Sequence, residues 1–187
     1  MNEIVINSPI LEDYIRKNYP QYKFISSTTK CITNREKAKE EILNSNYIMT
    51  CLDYNLNKDY NFLDSLSQEE KNKVELLINP VCGPACPNRE QHYKLNSLYM
   101  LNYGKPYAMR SCIINGSCLL PIDNNVIITP EEIENYYSPQ GFSNFKIEGR
   151  TFPPLDLLLN LVKYTVKPEY SYFVISSVMR AYDSFNL

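Results

Sequence analysis

Short apolar runs rich in Ile, Val, Tyr and Phe recur along the chain, and each is followed by residues that start helices. This alternation is the pattern of strand–helix units on a parallel sheet, and about six units are predicted. Ile4-Val5-Ile6-Asn7 is followed by Ser8-Pro9, a cap with proline at the first helical position, and then by Leu11, Tyr14 and Ile15 at helical spacing. Residues 22–27 form the second predicted strand, after which Thr33-Asn34-Arg35-Glu36 has capping-box spacing and opens a charged helix to Leu43. Residues 47–52 are the third strand. A helix over 59–66 and a further turn capped by Ser67-Gln68-Glu69-Glu70 precede the fourth, over 74–79. Residues 88–99 are predicted helical. Val126-Ile127-Ile128 reads as a fifth strand, and Thr129-Pro130-Glu131-Glu132 then combines a capping box with proline at the first position. The sixth strand, 145–148, leads to a helix with Leu155, Leu158, Leu159 and Val162 on one face.

Alternate side chains of a strand point to opposite faces, so parity sorts the polar residues. In the last strand Phe145 and Ile147 share one face while Lys146 and Glu148 share the other, with Arg150 in phase if the extension continues. The same rule pairs Glu75 with Asn79, Cys51 with Asp53, and Val5 with Asn7. Polar residues thus gather at the carboxyl ends of strands, where α/β folds place their sites, and Asn7, Asp53, Asn79, Lys146, Glu148 and Arg150 are expected to line one polar cavity there. For Lys146, Glu148 and Arg150, an interior ion-pair network competes with a functional role, in which Arg and Lys clamp a carboxylate or phosphate beside Glu148 as acid or base.

The chain has 187 residues and a net charge of −2, the length and balance of one globular domain over 1–187. Its 19 basic and 21 acidic residues are interspersed, which argues against an electrostatic grip on DNA or an anionic membrane. A small molecule or an RNA base stays open through a local pocket. The amino-terminal residues carry Glu3 where a signal peptide needs positive charge, and no segment reaches the roughly 18 apolar residues of a membrane span, so the expected location is cytoplasmic.

In a reducing compartment six cysteines point to metal binding, catalysis or burial rather than a disulfide framework. Cys82-Gly83-Pro84-Ala85-Cys86-Pro87 follows a strand end, and Cys112 and Cys118 lie in the same cysteine-rich connection over 80–121. Four thiolates can close a tetrahedral zinc or iron–sulfur site, while four buried small hydrophobes are the alternative. Gly83, Pro84 and Pro87 make a rigid turn unsuited to core packing, which favours metal. Cys31 and Cys51 sit at or in strands and read as core. His92, the only histidine, lies on a predicted helix with Arg89 one turn before it, and it is a candidate ligand or general base. No Gly-rich phosphate loop, GxSxG elbow or HExxH is present.

The segment from Ile78-Asn79-Pro80 through Cys82-Gly83-Pro84-Ala85-Cys86-Pro87-Asn88-Arg89 to His92-Tyr93, and above all Phe145-Lys146-Ile147-Glu148-Gly149-Arg150, resembles the collagenase-like peptidase family, number thirty-two of the unassigned peptidases. Relatives in that family take part in tRNA and rRNA hydroxylation and in oxygen-independent ubiquinone hydroxylation. The resemblance implies a TIM-like (β/α) barrel, here incomplete at about six parallel units and matching the later part. It implies a [4Fe-4S] cluster on Cys82, Cys86, Cys112 and Cys118, with zinc as the alternative. Glu148, Arg150, Lys146 and His92 are then the catalytic candidates, and Asn7, Asp53, Asn79 and Arg89 the substrate-binding ones. A small acidic or nucleobase-type substrate is expected. A non-catalytic metal-stabilised interaction module and a peptidase are the competing functions. An incomplete barrel leaves strand edges open, so a second copy, or a protein supplying the missing strands, is an expected partner, with the apolar tail over 169–187 able to add one element.

Overall fold

The structure, a computed structural model, describes residues 2–80, 82–101, 126–149 and 154–185. Strands β1 (Glu3–Ile6), β2 (Lys23–Ser26), β3 (Met49–Cys51), β4 (Val74–Leu77) and β5 (Asn144–Lys146) form one sheet. Between and after them lie helices α1 (Pro9–Asn18), α2 (Arg35–Leu43), α3 (Tyr60–Asp64), α4 (Gln68–Asn72), α5 (Arg89–Leu101), α6 (Pro130–Glu132), α7 (Pro154–Thr165) and α8 (Pro168–Phe185). A π-helical turn, Ile133–Tyr137, prolongs α6. Among the described residues no helix is long and apolar enough to cross a membrane.

Local chemistry starts these helices much as expected. The Ser8 hydroxyl accepts from the Leu11 amide, and both Ser67/Glu70 and Thr129/Glu132 form reciprocal capping boxes. The α2 cap is a correction: Asn34, not Thr33, holds the position, its Oδ1 accepting from the Lys37 amide at 3.0 Å. Asn and Asp cap as well as Ser or Thr, so the side chain one residue closer to the helix took the free donor.

All strand pairs are parallel and run in sequence order, β1-β2-β3-β4-β5. Strand parity separates the two faces. Leu52, Val74, Leu76, Ile78, Phe145 and Ile147 pack with Ala38 and Ile42 of α2, Phe62 and Leu63 of α3, and Tyr137 and Tyr164. Ile4, Ile6 and Phe24 join Ile15 of α1 and Tyr47 in a second cluster on this same face. Val5, Ile25, Cys51, Glu75, Leu77 and Lys146 have the opposite parity. There Cys51 and Leu77 pack with Tyr54, Val126 and Cys82.

The expected fifth strand is a second correction. Val126-Ile127-Ile128 is not part of the sheet, because β5 occupies the place beside β4, Leu76 opposite Phe145. The Ile128 amide donates to Ile78 O at 2.9 Å, and Ile128 is fully buried. A buried β-branched run reads as a strand from its composition even where no partner strand is free. Five parallel strands are shown, and no closed barrel is formed by them.

Candidate functional site

The carboxyl ends of β3 and β4 carry the densest polar cluster. Beyond β3 the chain turns sharply through a 3₁₀ turn, Tyr54–Leu56, because Asp53 caps it: Oδ1 accepts from the Asn55 amide at 3.0 Å and from the Asn55 side chain at 2.8 Å. The other carboxylate oxygen accepts from Arg89 Nη1 at 2.5 Å. Arg89 Nη2 donates to Thr28 O at 3.0 Å, Nε donates to the Tyr93 hydroxyl at 3.0 Å, and the guanidinium lies 4.0 Å from the Tyr54 ring centroid. Burial works against the Arg89 charge, but the Tyr93 bond and the Asp53 carboxylate outweigh it and hold the pKa above the ordinary arginine value. The same enclosure pushes the Tyr93 phenol up to about 12, with Arg89 opposing.

This cluster anchors the Cys82–Cys86 turn. Ala85, at φ 50°, donates its amide to Asn55 Oδ1 at 2.8 Å, and Arg89 opens α5 directly after the turn. The turn is thereby tied to the end of β3 through Ala85 and, just beyond it, through Arg89. Cys82 is half-buried against Cys51, Tyr54, Leu77 and Val126. Cys86 is also half-buried and lines an open groove of about 720 Å³ with Cys31, Asn55, Arg89, Glu90 and Lys94. A separate enclosed pocket of about 10 Å³, room for one water, is lined by Ser26, Ser27, Thr28, Glu41, Thr50 and Asp53 among others.

The remaining predicted residues are placed as follows. Asn79 is buried and uses its side chain to continue the ladder between β4 and β5: Nδ2 donates to Glu148 O at 2.9 Å, and Oδ1 accepts from the Glu148 amide at 2.8 Å. Lys146 Nζ meets Glu75 Oε2 at 2.8 Å across the strand pair. Asn7 is exposed at the end of β1, and His92 is half-buried on α5. Neither the groove nor the enclosed pocket is lined by Asn7, Asn79, Lys146, Glu148 or His92. Arg150, Cys112 and Cys118 lie outside the described residues. Among the described residues no three metal-ligating side chains gather, and Cys82 and Cys86 are the members of the expected ligand set that can be placed.

Thr28, Tyr54 and Tyr93 are not among the site residues expected from the sequence, in which Cys31 reads as core. Cys31 sits at φ 54° closing a 3₁₀ turn, and burial pushes its thiol up, with Arg89 opposing. Cys51 is raised further, to about 12, by burial and then by the Glu75 charge, so this thiol is protonated and inert at neutral pH. The position of Tyr54 one residue past Asp53, at a strand end, was the one local signal available for it.

No protein-family model, no curated protein and no solved structure matches the chain.

Proposed function

We propose that the carboxyl end of this sheet is a thiolate-ligated metal site, with Cys82 and Cys86 as two of its ligands and Cys112 and Cys118 as the others. The observation that supports this is the anchoring of the Cys82–Cys86 turn by Asn55 and by the buried Arg89–Asp53 pair. A turn of Gly and Pro held through Ala85 and Arg89 restrains the backbone that carries the two thiols, as a metal site requires. Two half-buried thiols of this spacing fit iron–sulfur or zinc chemistry by donor type. A [4Fe-4S] cluster held there would supply one-electron transfer, whereas zinc would staple the connection.

The sheet supports the barrel part of the reading. Sequential order with α1, α2, α3 and α7 packed on one face fits the winding of a barrel arc, because a doubly wound sheet reverses its order and covers both faces. We read the five strands as an arc of a TIM-like barrel of the collagenase-like peptidase type. On this reading a small acidic or nucleobase-type substrate sits above the strand ends, with Glu148 as the acid–base group and Arg150 as its anion clamp.

Anaerobic purification followed by metal and sulfide analysis and an absorbance spectrum tests the site. Iron and sulfide at about four each per chain, with broad visible absorption, is the expected outcome. One zinc per chain moves the reading to a structural staple and a non-catalytic module. Substoichiometric amounts of every metal overturn it.

A further inference from the structure

Among the described residues Cys31 and Ala85 are the non-glycine positions with a left-handed backbone, Ala85 at φ 50°. That conformation is unfavourable for any residue with a Cβ, and it persists where surrounding groups hold it. Ala85 is exposed, so packing does not hold it. A hydrogen bond does: its amide donates to Asn55 Oδ1 at 2.8 Å, across 30 residues of chain. Asn55 is itself fixed, because its Nδ2 and its backbone amide donate to Asp53 Oδ1 at 2.8 and 3.0 Å, while Asp53 Oδ2 accepts from Arg89 at 2.5 Å. Only one orientation of the Asn55 amide satisfies both neighbours. Turned over, its nitrogen would face the Ala85 donor and its oxygen would face the Asp53 carboxylate.

Ala85 immediately precedes Cys86, so its torsions set the direction in which the chain delivers Cys86 relative to Cys82. Within Cys82-Gly83-Pro84-Ala85-Cys86-Pro87 the two prolines fix their own φ, and Ala85 is where a tertiary hydrogen bond selects an otherwise unfavourable backbone. We infer that Asn55 is a positioning residue for the proposed metal site: by accepting the Ala85 amide it holds Ala85 left-handed and sets the path from Cys82 to Cys86 before the metal arrives. This inference rests on the proposed role of both cysteines as ligands. A turn already in its bound form loses less freedom on binding, which raises affinity. Groups that orient metal ligands from behind typically change metal affinity by 10–100-fold.

Asn55→Ala removes the acceptor, while Asp53 keeps its bonds to Arg89 and to the backbone amide of position 55. The test is zinc(II) affinity of the full chain under anaerobic reducing conditions, by competition with a chromophoric chelator, with a metal-free thermal melt showing that each variant is folded. Asn55→Ala should weaken zinc binding roughly 10-fold or more. Adding Ala85→Gly should regain part of that loss, since glycine enters the left-handed region without help. A second route leaves Asn55 and Asp53 untouched. Ala85→Pro, at an exposed position, removes the amide donor and excludes a positive φ, and it should weaken zinc binding at least as much as Asn55→Ala. Wild-type zinc affinity in folded Asn55→Ala or Ala85→Pro, even with a lowered melting temperature, overturns the inference alone. A double variant that binds zinc no more tightly than Asn55→Ala does the same. A wild-type chain that binds no zinc overturns the ligand role of the two cysteines and the inference together.

Discussion

Arg89 and Asp53 stand 36 residues apart in the chain and meet at 2.5 Å, their side chains 5% and 1% exposed. Both are substrate-binding candidates from the sequence, and in the structure they are each other's ion-pair partner. The pair joins the start of α5 to the end of β3, with Thr28 and Tyr93 taking the remaining guanidinium donors and Asn55 holding the turn between.

Breaking this pair from one side leaves an uncompensated buried charge. Asp53→Asn should therefore cost about 3–5 kcal/mol in denaturant unfolding. Arg89→Lys should also destabilise, because a single ammonium cannot reach Asp53, Thr28 and Tyr93 from one planar fork. A loss under 1 kcal/mol in both variants would show that the pair does not hold the turn.

Asn57 is fully buried and donates Nδ2 to both Leu77 O and Val126 O at 2.8 Å, while its own carbonyl accepts from Tyr137. Asn57→Asp would set a carboxylate against two carbonyl oxygens, and Asn57→Leu would leave both carbonyls unpaired. Both changes should lower stability by about 2 kcal/mol or more, Asn57→Asp the more strongly near neutral pH. Thermal melts at neutral and acidic pH check the order.

Glu70 accepts the Ser67 amide, which holds its carboxyl below the ordinary 4.5 against the opposing effect of burial, with the Ser67 hydroxyl and Lys39 assisting. A depressed folded pKa gives a contribution that is complete above the ordinary carboxylate value and is lost as pH falls through the folded one. Glu70→Gln should therefore cost about 0.5–1 kcal/mol at neutral pH, a difference that closes in acid. A pH-independent difference between the two proteins would contradict the ionised cap.

Gly141 has φ 95°, and a Cβ built there would run into the Gln68 amide, which donates to Gly141 O at 3.0 Å. Gly141→Ala should cost about 1–2 kcal/mol. Adding Gln68→Ala should recover only the steric part, since the backbone strain stays. Full recovery in the double variant would place the whole cost in the clash.

Among the described residues β1 is an edge of the sheet, and beside it Val5, Ile10 and Tyr14 are 48%, 84% and 57% exposed. Open backbone donors flanked by apolar side chains favour association. Light scattering across a concentration series should give a molar mass rising above 21.8 kDa. A constant monomer mass would show that this edge is tolerated in water.

Local chemistry was legible in the residues themselves. The caps at Ser8, Ser67 and Thr129, the parallel α/β class and the strand parity of Phe145 against Lys146 all depend on neighbours within a few positions, and the structure carries them. What depended on distant partners was not legible. Val126 and Ile128 have strand composition, but β5 takes the ladder position beside β4. Asp53, Asn79 and Arg89 look like ligand groups in isolation, and only the fold decides that two of them neutralise each other while Asn79 extends a ladder. The bond from the Ala85 amide to Asn55 is invisible in the sequence for the same reason: a partner 30 residues away is a property of the surroundings, which the tertiary packing alone creates.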